Sequence, residues 1–398
     1  MPSIFMAVFP VFFWFLAEIL GISLLVQWTS KGSILRIVGF PCVAAAGYFL
    51  FTSSLTFSNN AIYNGSLAMV PFIPLVHCIN LLFLNPIDPQ DSILGISVGP
   101  NLRGISTPWQ AKNTPAFPVY YGGGCPERFP FLLRQTAIII WQYLVLDIFG
   151  AAGSVQSPEE SQMLYGPGSE FAYLSATKEQ WIARISTSLV SNFIMSRMMI
   201  DSVSRLTSII FVGLGLSSPS EWPPLFNSMW DAYTLRNYWG KFWHQIPRWS
   251  FTSLSNYLTR HILNLPRPSL LERYLNIPIV FSLSGLMHAT FLAGAGISSP
   301  DCWRGSMLYF TSFTLGFMIE DASQALWRRL GVEGSQPTAA SKGMATFKRV
   351  VGMLWVMTFM CMTVPLFSYP LSRLPAERRE SIPTAYSIAK VVGIGPAL

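Results

Sequence analysis

Long apolar runs recur along the whole chain, separated by shorter polar stretches. A helix needs about 20 apolar residues to cross the hydrocarbon core of a bilayer. By that measure the sequence predicts about eight spans, near residues 4–27, 34–55, 61–84, 131–150, 184–214, 276–297, 306–327 and 347–370. The expected fold class is all-α, a polytopic integral membrane protein, because only helices and closed barrels satisfy their own backbone in lipid. The chain shows no internal repeat and no low-complexity segment, so a single domain over 1–398 is expected. The fifth run is unusually long and carries Arg184, Arg197, Asp201 and Arg205. It predicts either two helices or one that faces protein and water rather than lipid. The first run is too long for a signal-peptide core and lacks a basic start, so a retained span is expected.

Composition points the same way. Of 398 residues, 51% are hydrophobic and only 11% are charged, against about 25% charged in soluble domains. The net charge of +7 does not read as a nucleic-acid footprint, because the bases sit in short loops between apolar runs. Segments 86–130, 217–275 and 328–346 are basic, and segment 151–183 is mostly acidic. The positive-inside rule then places the three basic segments in the cytosol and both termini on the far side. Arg373, Arg378, Arg379 and Lys390 in the tail run against that assignment. Cys42, Cys78, Cys125, Cys302 and Cys361 are scattered, without a CxxC pair, and predict neither a metal site nor a disulfide framework. The histidines lack the paired spacing of metal ligands. Asn64-Gly65-Ser66 is a glycosylation sequon that abuts a span.

Against this background His288 stands out. It lies inside the apolar run 277–294, and a titratable ring at that depth is costly unless it works. Ser284 lies one turn earlier on the same helical face, and Gly285 and Gly294 leave room for close packing or a ligand. A neutral buried imidazole can take a proton from an alcohol; a structural histidine bonded to a neighbouring helix is the competing reading.

The second candidate is the segment 234–249, dense in aromatics and bases. If it is helical up to Pro247, then Arg236, Gly240, His244 and Arg248 form one stripe. Tyr238, Trp239, Phe242 and Trp243 then cover its sides. Such a stripe is a plausible seat for a phosphorylated ligand, since arginine offers a planar fork for phosphate. An interfacial helix with an aromatic belt is the alternative. Glu320 and Asp321, late in the seventh run, favour a structural ion pair, with an arginine of the fifth run as one partner. His77 and His261 carry no comparable context, and no nucleophile elbow for Ser-His-Asp catalysis is visible.

Three stretches taken together resemble one family: 101–113 (NLRGISTPWQAKN), 235–245 (LRNYWGKFWHQ) and 284–288 (SGLMH). In order and spacing they are similar to the wax synthase-like branch of the membrane-bound O-acyltransferases, and most to fungal members that acetylate terpenoid and meroterpenoid alcohols. The likeness covers about residues 100–325. It implies about eight helices around an intramembrane tunnel, in the endoplasmic reticulum membrane, with His288 as base and His244 as the second polar residue. It implies acetyl-CoA as co-substrate, entering from the cytosol, with no bound cofactor and no metal. The remaining partners are a hydrophobic alcohol and the bilayer. Arg236, Lys241 and Arg248 would hold CoA phosphates, with Tyr238, Trp239, Gly240 and Trp243 in the same donor region and Ser284, Glu320 and Asp321 in support. The chain departs from the common pattern at Tyr238, often Phe, and at Lys241-Phe242, often two arginines, which removes one base. Three rivals stay open: a long-chain acyl-CoA wax or sterol ester synthase, a proton-coupled transporter, for which no inverted repeat is visible, and a non-catalytic membrane scaffold, in which His288 and His244 would be replaceable.

Overall fold

The computed structural model describes residues 4–88, 101–122, 124–153, 157–330, 339–380 and 382–393. Part of the basic segments 86–130 and 328–346 therefore lies outside the described residues. Those described are helical or irregular, with no strand among them. The first half holds α1 (Ile4–Trp28), α2 (Ile34–Ser54), α3 (Ala61–Met69), α4 (Phe72–Ile79), α5 (Arg128–Gly153), α6 (Pro158–Tyr165), α7 (Lys178–Ser186) and α8 (Arg197–Gly213). The second holds α9 (Leu235–Asn237), α10 (Arg248–Asn256), α11 (Leu270–Gly294), α12 (Ser299–Arg329), α13 (Ala339–Ser372) and α14 (Ile388–Val391).

Helix stands at each of the eight expected positions, but among the described residues six runs are long and apolar enough to cross a membrane. They are Met6–Trp28, Ile34–Ser54, Ala61–Leu84, Arg128–Gly153, Leu270–Gly294 and Gly343–Ser372. The two left out are the charged fifth run and α12. The fifth run is one continuous helical path: α7, a wide π-helical stretch Thr187–Ser196, then α8. Arg184, Asp201 and Arg205 find polar partners, Arg197 lies 5.2 Å over the Phe226 ring, and the run also exposes Val203, Leu206 and Ile210. The chain forms two compact units. The first comprises Met1–Ala111, Ile246–Thr311 and Glu377–Arg379, and the second Lys112–Gln245, Ser312–Ala376 and Glu380–Leu398.

In the first unit, α1 packs along α2, and α3 packs along α11. The α3–α11 contact is made by small residues, the usual device where two helices approach in lipid. A Cβ on Gly294 would lie 2.5 Å from the Ala68 Cβ and 2.9 Å from the Asn64 carbonyl oxygen. Arg36, only 1% exposed, closes the turn between α1 and α2. Its guanidinium donates to the Thr29 carbonyl at 2.7 Å and to the Ile87 carbonyl at 2.6 Å. Asn64 is not the free acceptor that a sequon suggests. It is 4% exposed, accepts from the Ser58 amide at 2.9 Å and donates to the Ser58 carbonyl at 2.8 Å.

In the second unit, α5 pairs with α8 through a buried polar row. Gln142 donates to Asp201 at 2.7 Å, Ser202 donates to Gln142 at 2.8 Å, and Arg205 pairs with Asp201 at 2.6 Å. Arg184 donates to the Ser169 carbonyl at 2.7 Å and lies 4.9 Å over the Tyr173 ring. Arg373, whose position in the tail ran against the charge rule, pairs with Glu170 at 2.6 Å. Lys390 pairs with Glu380 at 2.5 Å. These tail bases serve local packing, which is why they carry little topological information.

Gly294→Ala is expected to destabilise the protein by about 1–3 kcal/mol through overpacking of α3 against α11. The thermal unfolding midpoint in detergent reads this directly, and an unchanged midpoint would contradict the close approach.

Candidate active site

The candidate residues fall into two groups. His288, Ser284 and Arg248 belong to the first unit, and the others to the second. Helix α11 begins where Ser269 caps it, its hydroxyl accepting from the Glu272 amide at 3.1 Å. Five turns further on, the His288 ring turns back along its own helix, and its Nδ1 lies 2.8 Å from the Ser284 carbonyl oxygen. A carbonyl only accepts, so Nδ1 carries the proton and Nε2 carries the lone pair. The contribution of Ser284 is thus its backbone carbonyl. The ring is half-buried, with the Phe310 ring over it at a centroid distance of 4.3 Å. Just below, Ser306 donates to the Gly285 carbonyl at 2.7 Å. A Cβ on Gly285 would lie 2.8 Å from the Met307 Sδ. The base therefore has its tautomer set through Nδ1, the lone pair on Nε2, and the Phe310 ring over it. Arg248 opens α10 and is half-buried. Burial presses its guanidinium below the usual arginine value.

The tryptophan-rich segment does not form the expected stripe. Only Leu235–Asn237 is α-helical; Tyr238–Phe242 is a π-helical turn, and Trp243 is extended at φ −73° and ψ 152°. The four-residue spacing of Arg236, Gly240, His244 and Arg248 therefore does not put them on one helical face. The aromatics face protein rather than headgroups: Tyr238 and Phe242 are fully buried and Trp243 is 8% exposed. Tyr238 and Trp243 stack at 5.5 Å, and Trp239 meets Phe313 edge-on at 5.1 Å. His244, half-buried, lies beside Trp243 at 5.5 Å and edge-on to Phe226 at 5.8 Å. Gly240 has open space where a Cβ would stand, and Lys241 is exposed.

The acidic pair divides its work differently from expectation. Asp321 pairs with Arg236 at 3.3 Å, not with an arginine of the fifth run. Glu320 accepts from the amides of Leu235 and Arg236 and from the Trp355 indole at 3.0 Å. A carboxylate at the start of α9 meets the unsatisfied amides there. Arg236 is consequently held by Asp321 rather than left for phosphate alone.

Several participants were not signalled by the sequence. Asn113 donates to the Gly240 carbonyl at 2.7 Å, and Asn227 donates to the Lys241 carbonyl at 3.0 Å. Together they fix the π turn. Phe310 over His288 is a contact between two helices that no spacing encodes. His77, passed over in the sequence, bonds Ser250 at 2.9 Å, with both side chains 1% exposed. Among the described residues, no group of three or more His, Cys, Asp or Glu converges on a metal position.

The comparisons with known proteins agree with this picture. The family described as membrane bound O-acyl transferase matches residues 222–312, a stretch that holds both His244 and His288. The acetyltransferase atnC of Arthrinium sp is 40% identical over 405 residues, 96% of this chain and 91% of the relative. The acetyltransferase pyr8 of Aspergillus fumigatus is 36% identical over 394 residues, with 93% and 89% covered. The acetyltransferase cdmC of Talaromyces verruculosus is 35% identical over 401 residues, with 96% and 92% covered. No solved structure matches the chain. The chain belongs to the membrane bound O-acyl transferase family. It is a multi-pass membrane enzyme that transfers an acyl group from a donor to an alcohol, which sets the transporter reading aside.

Glu320→Ala is expected to cost about 1–3 kcal/mol, since it strands a buried amide and an indole N–H. Asp321→Ala removes only an exposed pair and should stay within about 1 kcal/mol. Thermal unfolding of the two variants side by side separates them.

Proposed function

We propose that this protein is an O-acetyltransferase of the endoplasmic reticulum membrane. It moves acetyl from acetyl-CoA to a hydroxyl of a hydrophobic secondary metabolite, a terpenoid or meroterpenoid. The whole chain works as one acyltransferase domain, and the donor comes from the cytosol. The observation that carries the reading is the bond from His288 Nδ1 to the Ser284 carbonyl at 2.8 Å, which orients the ring and puts the basic lone pair on Nε2. The relatives named acetyltransferases support the acetyl donor, and the apolar setting of the base suits a hydrophobic acceptor.

In this mechanism Nε2 of His288 takes the acceptor's hydroxyl proton as the oxygen forms a bond to the thioester carbonyl carbon. The tetrahedral adduct collapses, the carbon–sulfur bond breaks, and the imidazolium returns the proton to the departing CoA thiolate. No acyl-enzyme is required, because a held alcohol beside a held thioester already gains from orientation. His244 orients the donor or donates to the developing oxyanion. Lys241, Arg236 and Arg248 supply positive charge for the CoA phosphates, and Gly240 offers room beside them.

His288→Ala, purified and incubated with labelled acetyl-CoA and a terpenoid extract, should lose about 10²–10⁴-fold in ester formation with its thermal midpoint kept. Normal turnover by the folded variant would end the proposal. Membranes offered donors of increasing chain length should prefer acetyl-CoA; a preference for long chains would favour wax or sterol ester synthesis.

A further inference from the structure

The second unit contains a half-open cavity of about 310 Å³ outside the residues assigned so far. Its walls are aromatic: Tyr120, Trp222 and Phe226 line it, together with several prolines. Its floor is the Asp201–Arg205 pair at 2.6 Å. Asp201 also accepts from Gln142, and Arg205 also donates to Gln135. The floor is therefore polar and balanced in charge, a poor seat for a phosphate or an ammonium.

The exposed edge differs: Arg134, beside the lining rather than in it, lays its guanidinium 3.3 Å over the ring of the lining residue Tyr120, and both residues are exposed. On the inner side, Asn227 uses its amide N–H groups on the carbonyls of Asn113 and Lys241. What it can offer a ligand is its carbonyl oxygen, an acceptor for an amino group. Phe226, a wall of the cavity, is the ring that touches His244 edge-on.

These features select one part of a thioester donor. The acyl end is apolar, and the pantetheine arm is flexible with no aromatic face. The adenine is planar, uncharged and carries an exocyclic amino group; phosphates hang from its ribose. Aromatic walls take such a ring by stacking, and a guanidinium takes a phosphate oxygen. The volume lies at the small end of ligand sites, about 300–1,000 Å³, which admits a nucleoside and not the whole donor. A saturated polycyclic alcohol would gain nothing from the cation at the exposed edge.

We propose that this cavity is the nucleotide subsite of the acyl donor: adenine sits between Tyr120 and Trp222, its amino group on the Asn227 carbonyl oxygen, and a ribose-linked phosphate on Arg134. The assignment rests on the acyl-CoA reading above and extends it to residues outside the stretches 101–113, 235–245 and 284–288.

The test compares acetyl-CoA with S-acetylpantetheine, which carries the same reacting thioester and no nucleotide. Wild-type enzyme should prefer acetyl-CoA in kcat/KM, and 3′,5′-ADP should compete with it. In Arg134→Ala and Trp222→Ala the preference should shrink about tenfold, and inhibition by 3′,5′-ADP should weaken alongside. Arg134 is exposed, so that variant guards against a folding failure at Trp222. An unchanged donor preference in Arg134→Ala and in a folded Trp222 variant would overturn the subsite. So would a rise in acceptor KM alone, which would assign the cavity to the alcohol. Failure of the underlying function looks different: the wild-type enzyme would turn over neither thioester.

Discussion

A single intrahelical hydrogen bond sets the chemistry available to this protein. Nδ1 of His288 donates to the Ser284 carbonyl one turn back, so the ring is oriented by its own helix. The bond fixes the tautomer, and with it which nitrogen is basic. Had the ring bonded a hydroxyl on another helix, either nitrogen could have carried the proton, and movement between helices would have moved the base. Here the base moves only as α11 moves, and α11 is held by the Ser269 cap and by its close contact with α3. Phe310 packs over the same ring at a centroid distance of 4.3 Å.

The same rule governs several of the other polar groups buried in this apolar chain, which are met locally or by a nearby carbonyl, although both carboxylate oxygens of the fully buried Glu18 have no hydrogen-bond partner among the described residues. Arg36 satisfies carbonyls at the end of α1 and after α4, Arg184 does so for Ser169 and Glu170, and Asp201 is shared by Gln142 and Arg205. Glu320 applies it at the tryptophan-rich segment, where a short helix and a π turn leave amides that need an acceptor. An uncompensated charge in such surroundings costs several kcal/mol. These pairs are what allows a charged fifth run and a charged α12 to exist within a membrane protein.

This explains which parts of the structure could be read from sequence. Apolar runs identify helices wherever lipid or core must be met, so all eight helical positions were legible. His288 was legible for the converse reason, because a titratable ring inside an apolar run has few bland explanations. The path of residues 235–245 was not. No glycine–proline break announces that a helix will widen at Tyr238 and straighten at Trp243, and the four-residue spacing suggested a stripe that the backbone does not form. Pairings across the fold were equally hidden. Asp321 could have met any arginine brought near it, and the fold brings Arg236. The covering of His288 by Phe310 and the bond between His77 and Ser250 depend on helix packing, which a single chain does not record as a pattern.

The central claim is that Nε2 of His288, the ring nitrogen that carries the lone pair, is the proton acceptor in acyl transfer. Chemical rescue tests it most directly: His288→Gly is assayed for acetyl ester formation in rising concentrations of imidazole. The account predicts negligible turnover without imidazole and a rate that climbs with its concentration, because a free base then occupies the emptied place. Turnover at the wild-type rate with no imidazole present would contradict it.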